Sequence, residues 1–318
     1  MVPGVWLELE VMGICCEKAQ RVPDEWFFIR HGRRVYDRSR FQLDFRNPEV
    51  IDHANEVIDR LVKEYGVGYI KMDYNIEPGI GTEYQADRFG DGLLQHERAY
   101  LKWLDDVFAR YPDLVIENCS SGGQRMDYAM LKRYSIQSTS DQENYLNYAS
   151  ISANAPTGLA PEQAAVWSYP LLEGSTEEVV FNMVNAILLR VHQSGHLAQI
   201  SPKRRALVKE GLDYYKTIRT DLREALPFWP IGLSHFGDEW SCLGLRRGNK
   251  IYMGVWHREG GHSARELKIP EAAGKKATVR CAYPSYEGCA YSYASAAGSL
   301  TVRMDMNTAR LFEIILED

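Results

Sequence analysis

Gly68-Tyr69-Ile70-Lys71-Met72-Asp73 is a short, mostly apolar run that leaves into polar residues, and a capped amphipathic pattern stands directly before it. In that pattern Asn47 suits the N-cap and Pro48 the first helical position. Val50, Ala54, Val57, Ile58, Leu61 and Val62 keep helical spacing, and Gly66 stops it, which predicts a helix over 48–65. Helix followed by short buried strand is the repeating unit of this chain. A helical stretch over 92–110 leads into Leu114-Val115-Ile116-Glu117-Asn118-Cys119, and Met126 to Arg133 leads into a weaker strand over 135–141. A helix over 176–193 leads into Gly195-His196-Leu197-Ala198-Gln199-Ile200, and Pro202 opens a last helix to 225. Upstream, Val5 to Val11 reads as one strand with carboxylates near its end.

Strands alternating with helices imply a parallel sheet with crossover connections. Polar side chains at successive strand ends imply the C-terminal face of a β/α barrel, where such folds assemble their sites. After Pro227-Phe228-Trp229-Pro230 the pattern changes to short runs separated by Gly, Asn and Pro turns, as in a small antiparallel β-sandwich. The expected division is therefore a (β/α) barrel segment over 1–230 and a β-sandwich over 231–318.

Composition narrows the function classes. Of 318 residues, 45% are hydrophobic and 25% charged, enough for a sizeable core and unlike a disordered chain. The net charge of −6 provides no broad footprint for nucleic acid. No apolar run reaches the roughly 18 residues of a membrane span, and the start lacks the pattern of a secretory signal. Six dispersed cysteines without C-x-x-C spacing favour neither a zinc ribbon nor a disulfide scaffold, so a soluble cytoplasmic protein without metal or cofactor is expected.

Lys71 and Asp73 lie two apart on a strand and so point to the same side. A neighbouring lysine would keep the aspartate ionised, as a nucleophile must be; a structural ion pair at a strand end has the same signature. Asp141 closes Ser138-Thr139-Ser140-Asp141 on a later strand. Two carboxylates on different strands are the minimum for cleaving a glycosidic bond, although Asp141 taken alone favours a helix cap or turn residue. Between them, Asn118-Cys119-Ser120-Ser121-Gly122-Gly123-Gln124-Arg125 is a glycine turn without the ending of a phosphate loop. His192 and His196 have metal-ligand spacing but enclose a glycine and no glutamate, which favours a structural role. Arg30-His31-Gly32-Arg33-Arg34 reads as a solvated basic loop.

Taken together these motifs resemble the retaining α-galactosidases of glycoside hydrolase family 36. That family's G-L-W-F-E-P-E, K-W-D-M-N, C-S-G-G-G with R-F-D, and W-T-S-D appear here in the same order. The matching stretches are Gly4-Val5-Trp6-Leu7-Glu8-Leu9-Glu10, Lys71-Met72-Asp73-Tyr74-Asn75, Cys119 to Asp127, and Ser138-Thr139-Ser140-Asp141. The resemblance implies Asp73 as nucleophile and Asp141 as general acid/base. It implies a galactose pocket lined by Trp6, Arg38, Lys71, Cys119 and Gly122, an α-galactoside oligosaccharide as substrate, and no cofactor. An α-N-acetylgalactosaminidase, or a non-catalytic barrel that binds a sugar or a partner, is the alternative.

The chain departs from the family at several points. Met72 and Ser138 replace tryptophans, Gln142-Glu143-Asn144 replaces N-T-D, and Ala164-Ala165-Val166-Trp167 stands where G-A-H-V is expected. Glu143 brings a second negative charge near Asp141. In the family, the strand matching Gly4–Glu10 is the third of the barrel. The implied fold is thus a (β/α)8 TIM-type barrel lacking its first two strands, its open edge covered by a preceding region of a longer chain or by a second copy.

Overall fold

The Pro48 helix forms as its caps dictate in the computed structural model, which describes residues 1–317. Asn47 accepts a hydrogen bond from Glu49 N at 2.9 Å, and α1 runs Pro48–Lys63 with Val50, Ala54 and Ile58 buried. The chain divides into two compact units, 1–138 and 139–318.

In the first unit four strands lie parallel in chain order: β1 (Gly4–Leu7), β2 (Tyr69–Met72), β3 (Val115–Asn118) and β4 (Ile136–Ser138). Trp6 stands beside Lys71, and Lys71 beside Glu117. Alternation then sorts the side chains. Ile70, Met72 and Ile116 pack into an apolar core with α1 and with Tyr100, Trp103, Leu104 and Val107 of α2 (Phe89–Arg110). Each fully buried aliphatic side chain there contributes about 1.5–3 kcal/mol. Trp6, Lys71 and Glu117 occupy the alternate positions and are left for other work.

The expected single strand over 5–11 is interrupted. β1 stops at Leu7, the chain turns through Leu9 and Glu10, and Val11–Gly13 pairs antiparallel with Arg40–Gln42. Glu10 is buried against Arg125 at 2.7 Å, so its charge is used at the turn rather than along a strand. The basic cluster is no loose loop either. Ile29–Arg30 and Arg33–Arg34 form a hairpin, its turn made by His31 and Gly32 at φ 52° and 69°. Arg34 lies 4.3 Å from the Phe27 ring centre and pairs with Asp24 at 2.6 Å.

The second unit holds two further parallel strands, β5 (Ala164–Ser168) and β6 (Arg190–Gln193), with helices α3 (Tyr145–Asn154), α4 (Thr176–Ile187) and α5 (Pro202–Leu222). The expected helix over 176–193 and strand over 195–200 are corrected here. Helix α4 is buried from Glu178 to Ile187 and ends there; the strand comes earlier, and 195–200 is turn. A run buried on every side, its Asn182 and Asn185 included, presents no polar face whose period would mark where the helix stops and the strand begins. From Leu226 onward all strands are antiparallel. A five-stranded sheet (226–228, 240–247, 250–257, 308–316, 277–283) and a three-stranded one (264–268, 299–303, 290–294) share a core that includes Met253, Val255, Leu267, Leu300, Val302, Phe312 and Ile314. The architecture is α/β with added antiparallel sheets. Among the described residues no helix is long and apolar enough to cross a membrane.

Candidate functional site

Asp73 sits one residue beyond β2, where its N–H still reaches back to Leu7 O at 2.8 Å, and Cys119 N likewise reaches Met72 O at 2.9 Å. Both side chains are thereby fixed at the C-terminal ends of adjacent strands. Trp6 Nε1–H donates to Asp73 Oδ2 at 3.0 Å, and Tyr74 N–H to Oδ1 at 2.8 Å. Burial pushes the carboxyl up, but hydrogen bonds from Asn75, Trp6, Cys119 and the Tyr74 backbone outweigh it and hold Asp73 below its ordinary value of 3.8.

The donors are themselves anchored. Asn75 Nδ2 donates to Glu8 at 2.9 Å, and Glu8 also takes Arg40 at 2.6 Å. Asn75 Oδ1 accepts from Ser121 N and Oγ at 2.9 and 2.8 Å. Those bonds hold the glycine turn, in which Ser121 and Gly122 have φ of 42° and 83°; glycine adopts such a backbone without strain. Burial, with Asp73 nearby, pushes the Cys119 thiol up to about 12, so it acts as a donor to the carboxylate and not as a thiolate.

Lys71 is occupied differently from expectation. Its Nζ lies 3.3 Å from Oε1 of the buried Glu117, whose other oxygen accepts from Tyr69 Oη. The groups that lower Asp73 most are hydrogen-bond donors, so the ionisation expected from Lys71 comes chiefly from them.

Asp141 belongs to the second unit and is exposed. Thr139, two residues earlier, is tied to Ala165 O through both N (3.2 Å) and Oγ1 (2.6 Å), and Tyr148 Oη bonds Thr139 Oγ1 at 2.8 Å. Asn144 caps α3 just after it. Asp141, Gln142, Glu143, Trp167 and Tyr169 line a cavity of about 190 Å³.

With both surroundings described, the relatives can be placed. The melibiase family profile matches residues 1–164, more than half of the chain. The chain belongs to the melibiase family. Its relatives include α-galactosidase AgaA of Geobacillus stearothermophilus, 22% identical over 231 residues, which are 68% of this chain and 30% of that protein. The bifunctional α-galactosidase/sucrose kinase AgaSK of Mediterraneibacter gnavus is 29% identical over 128 residues, 40% of this chain and 13% of that one. The crystal structure of a family 36 AgaA variant with raffinose superposes with a TM-score of 0.83 at 15% identity, covering 99% of this chain and 44% of that one. The galactosidase domain of AgaSK gives 0.82 at 20% identity, covering 100% and 44%. This melibiase-family chain therefore spans less than half the length of these relatives.

Within the melibiase-family chain, Trp6, Asp73, Cys119 and Gly122 come together around one carboxylate, Gly122 by a backbone hydrogen bond to Cys119. Lys71 is the direct register partner of Trp6 on the neighbouring strand. Arg38 is at a hairpin turn at φ 45°, and its charged neighbours are Asp37 (3.8 Å) and Glu77 (3.9 Å), neither of which bonds Asp73. Arg40, two residues on, is linked to the cluster through Glu8 and Asn75. Sequence reasoning missed Glu8, Asn75 and Glu117 as parts of this site. For Glu117 the signal was a carboxylate inside an apolar run, in register with Lys71. His192 packs edge-on against Trp167 (6.3 Å) and His196 against Tyr169 (6.0 Å); no metal-binding cluster occurs among the described residues.

Proposed function

We propose that this chain carries the catalytic aspartates of a retaining glycoside hydrolase acting on terminal α-galactosyl residues. One observation carries the reading: Asp73 is buried at a strand end yet held below its ordinary pKa, and so ionised, by converging donors. An anionic carboxylate so oriented suits nucleophilic attack on an anomeric carbon. In the double displacement, Asp73 forms a glycosyl ester as Asp141 protonates the departing oxygen. Asp141 then takes a proton from water, which attacks the ester and releases the sugar with retained configuration. That sequence requires the two carboxyl groups roughly 5–5.5 Å apart. Trp6, Lys71, Cys119, Gly122 and Arg38 would bind the galactosyl hydroxyls. The α-galactosidase names of the relatives, and the raffinose bound in the AgaA structure, support this substrate class.

We further propose that the six parallel strands belong to one (β/α)8-type barrel that lacks its first two strands. The architectural boundary to a C-terminal β-sandwich then falls at about 230, and a preceding segment or a second copy covers β1. Replacing Asp73 by Asn should lower hydrolysis of an aryl α-galactoside by on the order of 10³-fold or more. Wild-type turnover by that variant would refute the role of Asp73. No turnover by the folded wild-type chain, with sugar binding retained, would favour the non-catalytic reading.

A further inference from the structure

In the second unit a short turn, 284–288, carries the chain from the five-stranded antiparallel sheet to the three-stranded one, and a cysteine stands on each side of it. Along Ala277–Tyr283, Ala277, Val279 and Cys281 belong to the shared core while Thr278 and Arg280 are exposed. Past the turn, Cys289, Tyr291 and Tyr293 pack on the same core while Ala290, Ser292 and Ala294 are exposed. Alternation therefore turns both cysteines inward from opposite sheets. Their surroundings meet as well. Phe312 is the register partner of Cys281, and its ring centre lies 5.2 Å from that of Tyr291, two residues after Cys289. The two sulfurs are within hydrogen-bond contact, and both thiols are free.

The thiols differ in access and charge. Cys281 is buried, and its bond to Cys289 together with that burial pushes it up. Cys289 is half-buried between the exposed Gly288 and Ala290. The Cys281 thiol and the Arg310 guanidinium stabilise its thiolate and hold it below its ordinary value, against the opposing effect of burial. Arg310 is itself fixed, paired with Glu177 at 2.7 Å and donating to Gly288 O at 3.2 Å. A more accessible thiolate beside a buried second thiol is the arrangement of an attacking and a resolving cysteine. The turn between them is docked on two helices: Ser285 N–H donates to Glu210 of α5 at 2.6 Å, and Tyr286 Oη to Glu177 of α4.

We propose that Cys281 and Cys289 are a site of thiol–disulfide exchange, at which a low-molecular-weight disulfide is reduced and an intrachain disulfide closes the turn 284–288. The Cys289 thiolate attacks one sulfur of the external disulfide, a mixed disulfide forms, and the other half leaves as a thiolate. Cys281 then loses its proton and its sulfur attacks that of Cys289. The Cys281–Cys289 bond forms as the second half departs. Two protein thiols are thereby oxidised and one external disulfide is reduced to two thiols, which take up the two protons the cysteines released. None of these steps depends on the glycosidase reading.

The test uses the full chain, reduced, freed of reductant and incubated with an excess of oxidised glutathione before peptide mapping by mass spectrometry. The expected product is a Cys281–Cys289 cross-linked peptide pair that dithiothreitol reopens. Cys281→Ser should instead retain glutathione on Cys289, because nothing resolves the mixed disulfide, and Cys289→Ser should leave Cys281 unmodified. A stable glutathione adduct on Cys289 of the wild type, or reaction confined to the exposed Cys15 and Cys16, overturns the proposal. Hydrogen exchange on the wild type alone reads the consequence. Amides over 285–289 should exchange on the order of tenfold more slowly in the oxidised chain, since the closed turn has fewer open states. Equal exchange in the two forms overturns the closing of the turn.

Discussion

Asp73 is governed by a contest between burial, which favours the neutral acid, and donors, which favour the anion; the donors prevail. Its folded pKa is below its unfolded one. The stability it contributes is therefore present above the unfolded value and is lost as pH falls through the folded value. Trp6→Phe keeps the ring and removes the 3.0 Å N–H donor. The carboxyl should then titrate at higher pH, and the acid limb of kcat/KM should move to higher pH with it. A ¹³C NMR titration of Asp73 reads the shift directly; an unmoved midpoint would show that the indole bond does not help hold the charge. Asp73, Trp6 and Cys119 are legible in the sequence because each lies on or at the end of a short strand with a motif around it. Glu8 and Asn75 stand in the same motif stretches, but their role is not legible there, because it is to orient other donors through a contact across 67 residues.

Among the elements, α1 is readable to its caps because Asn47, Pro48 and Gly66 each act locally. The α4–β6 stretch is not, since Val179 to Leu189 is buried throughout, Asn182 and Asn185 included, and shows no polar face to mark the end of the helix before Arg190. The strand is placed by its pairing with β5, and the chain beyond it by the close passage of Gly195 against Pro170. Gly195→Ala combines a positive φ with a clash against backbone, and should cost about 1–3 kcal/mol. Chemical denaturation measures that loss. Full stability in Gly195→Ala would mean the segment can move aside.

For the molecule as a whole, a change of strand type near 226 and a division of compact units after 138 do not coincide. The sequence shows the first, through turn residues and short runs, but the second depends on packing over long separations. Within the second unit the antiparallel sheets and the helices before them are tied together. Tyr214 Oη donates to Glu313 at 3.0 Å, Tyr283 Oη to Leu207 O at 3.1 Å, and Trp229 Nε1 to Ala153 O at 2.7 Å. A chain ended at 230 should accordingly lose cooperative unfolding by circular dichroism and aggregate, whereas a sharp transition would mark 1–230 as self-sufficient. The fully buried Arg310, paired with Glu177 at 2.7 Å across 133 residues, carries a further consequence for biosynthesis. Helix α4 leaves the ribosome long before the strand that supplies its cation. At synthesis rates of roughly 5–20 residues per second, the one face of α4 that packs on that strand waits on the order of ten seconds for cover, while α3 and β5, already made, meet its other faces. For that interval this one face, with Glu177 beside it, stays open on an otherwise packed nascent chain.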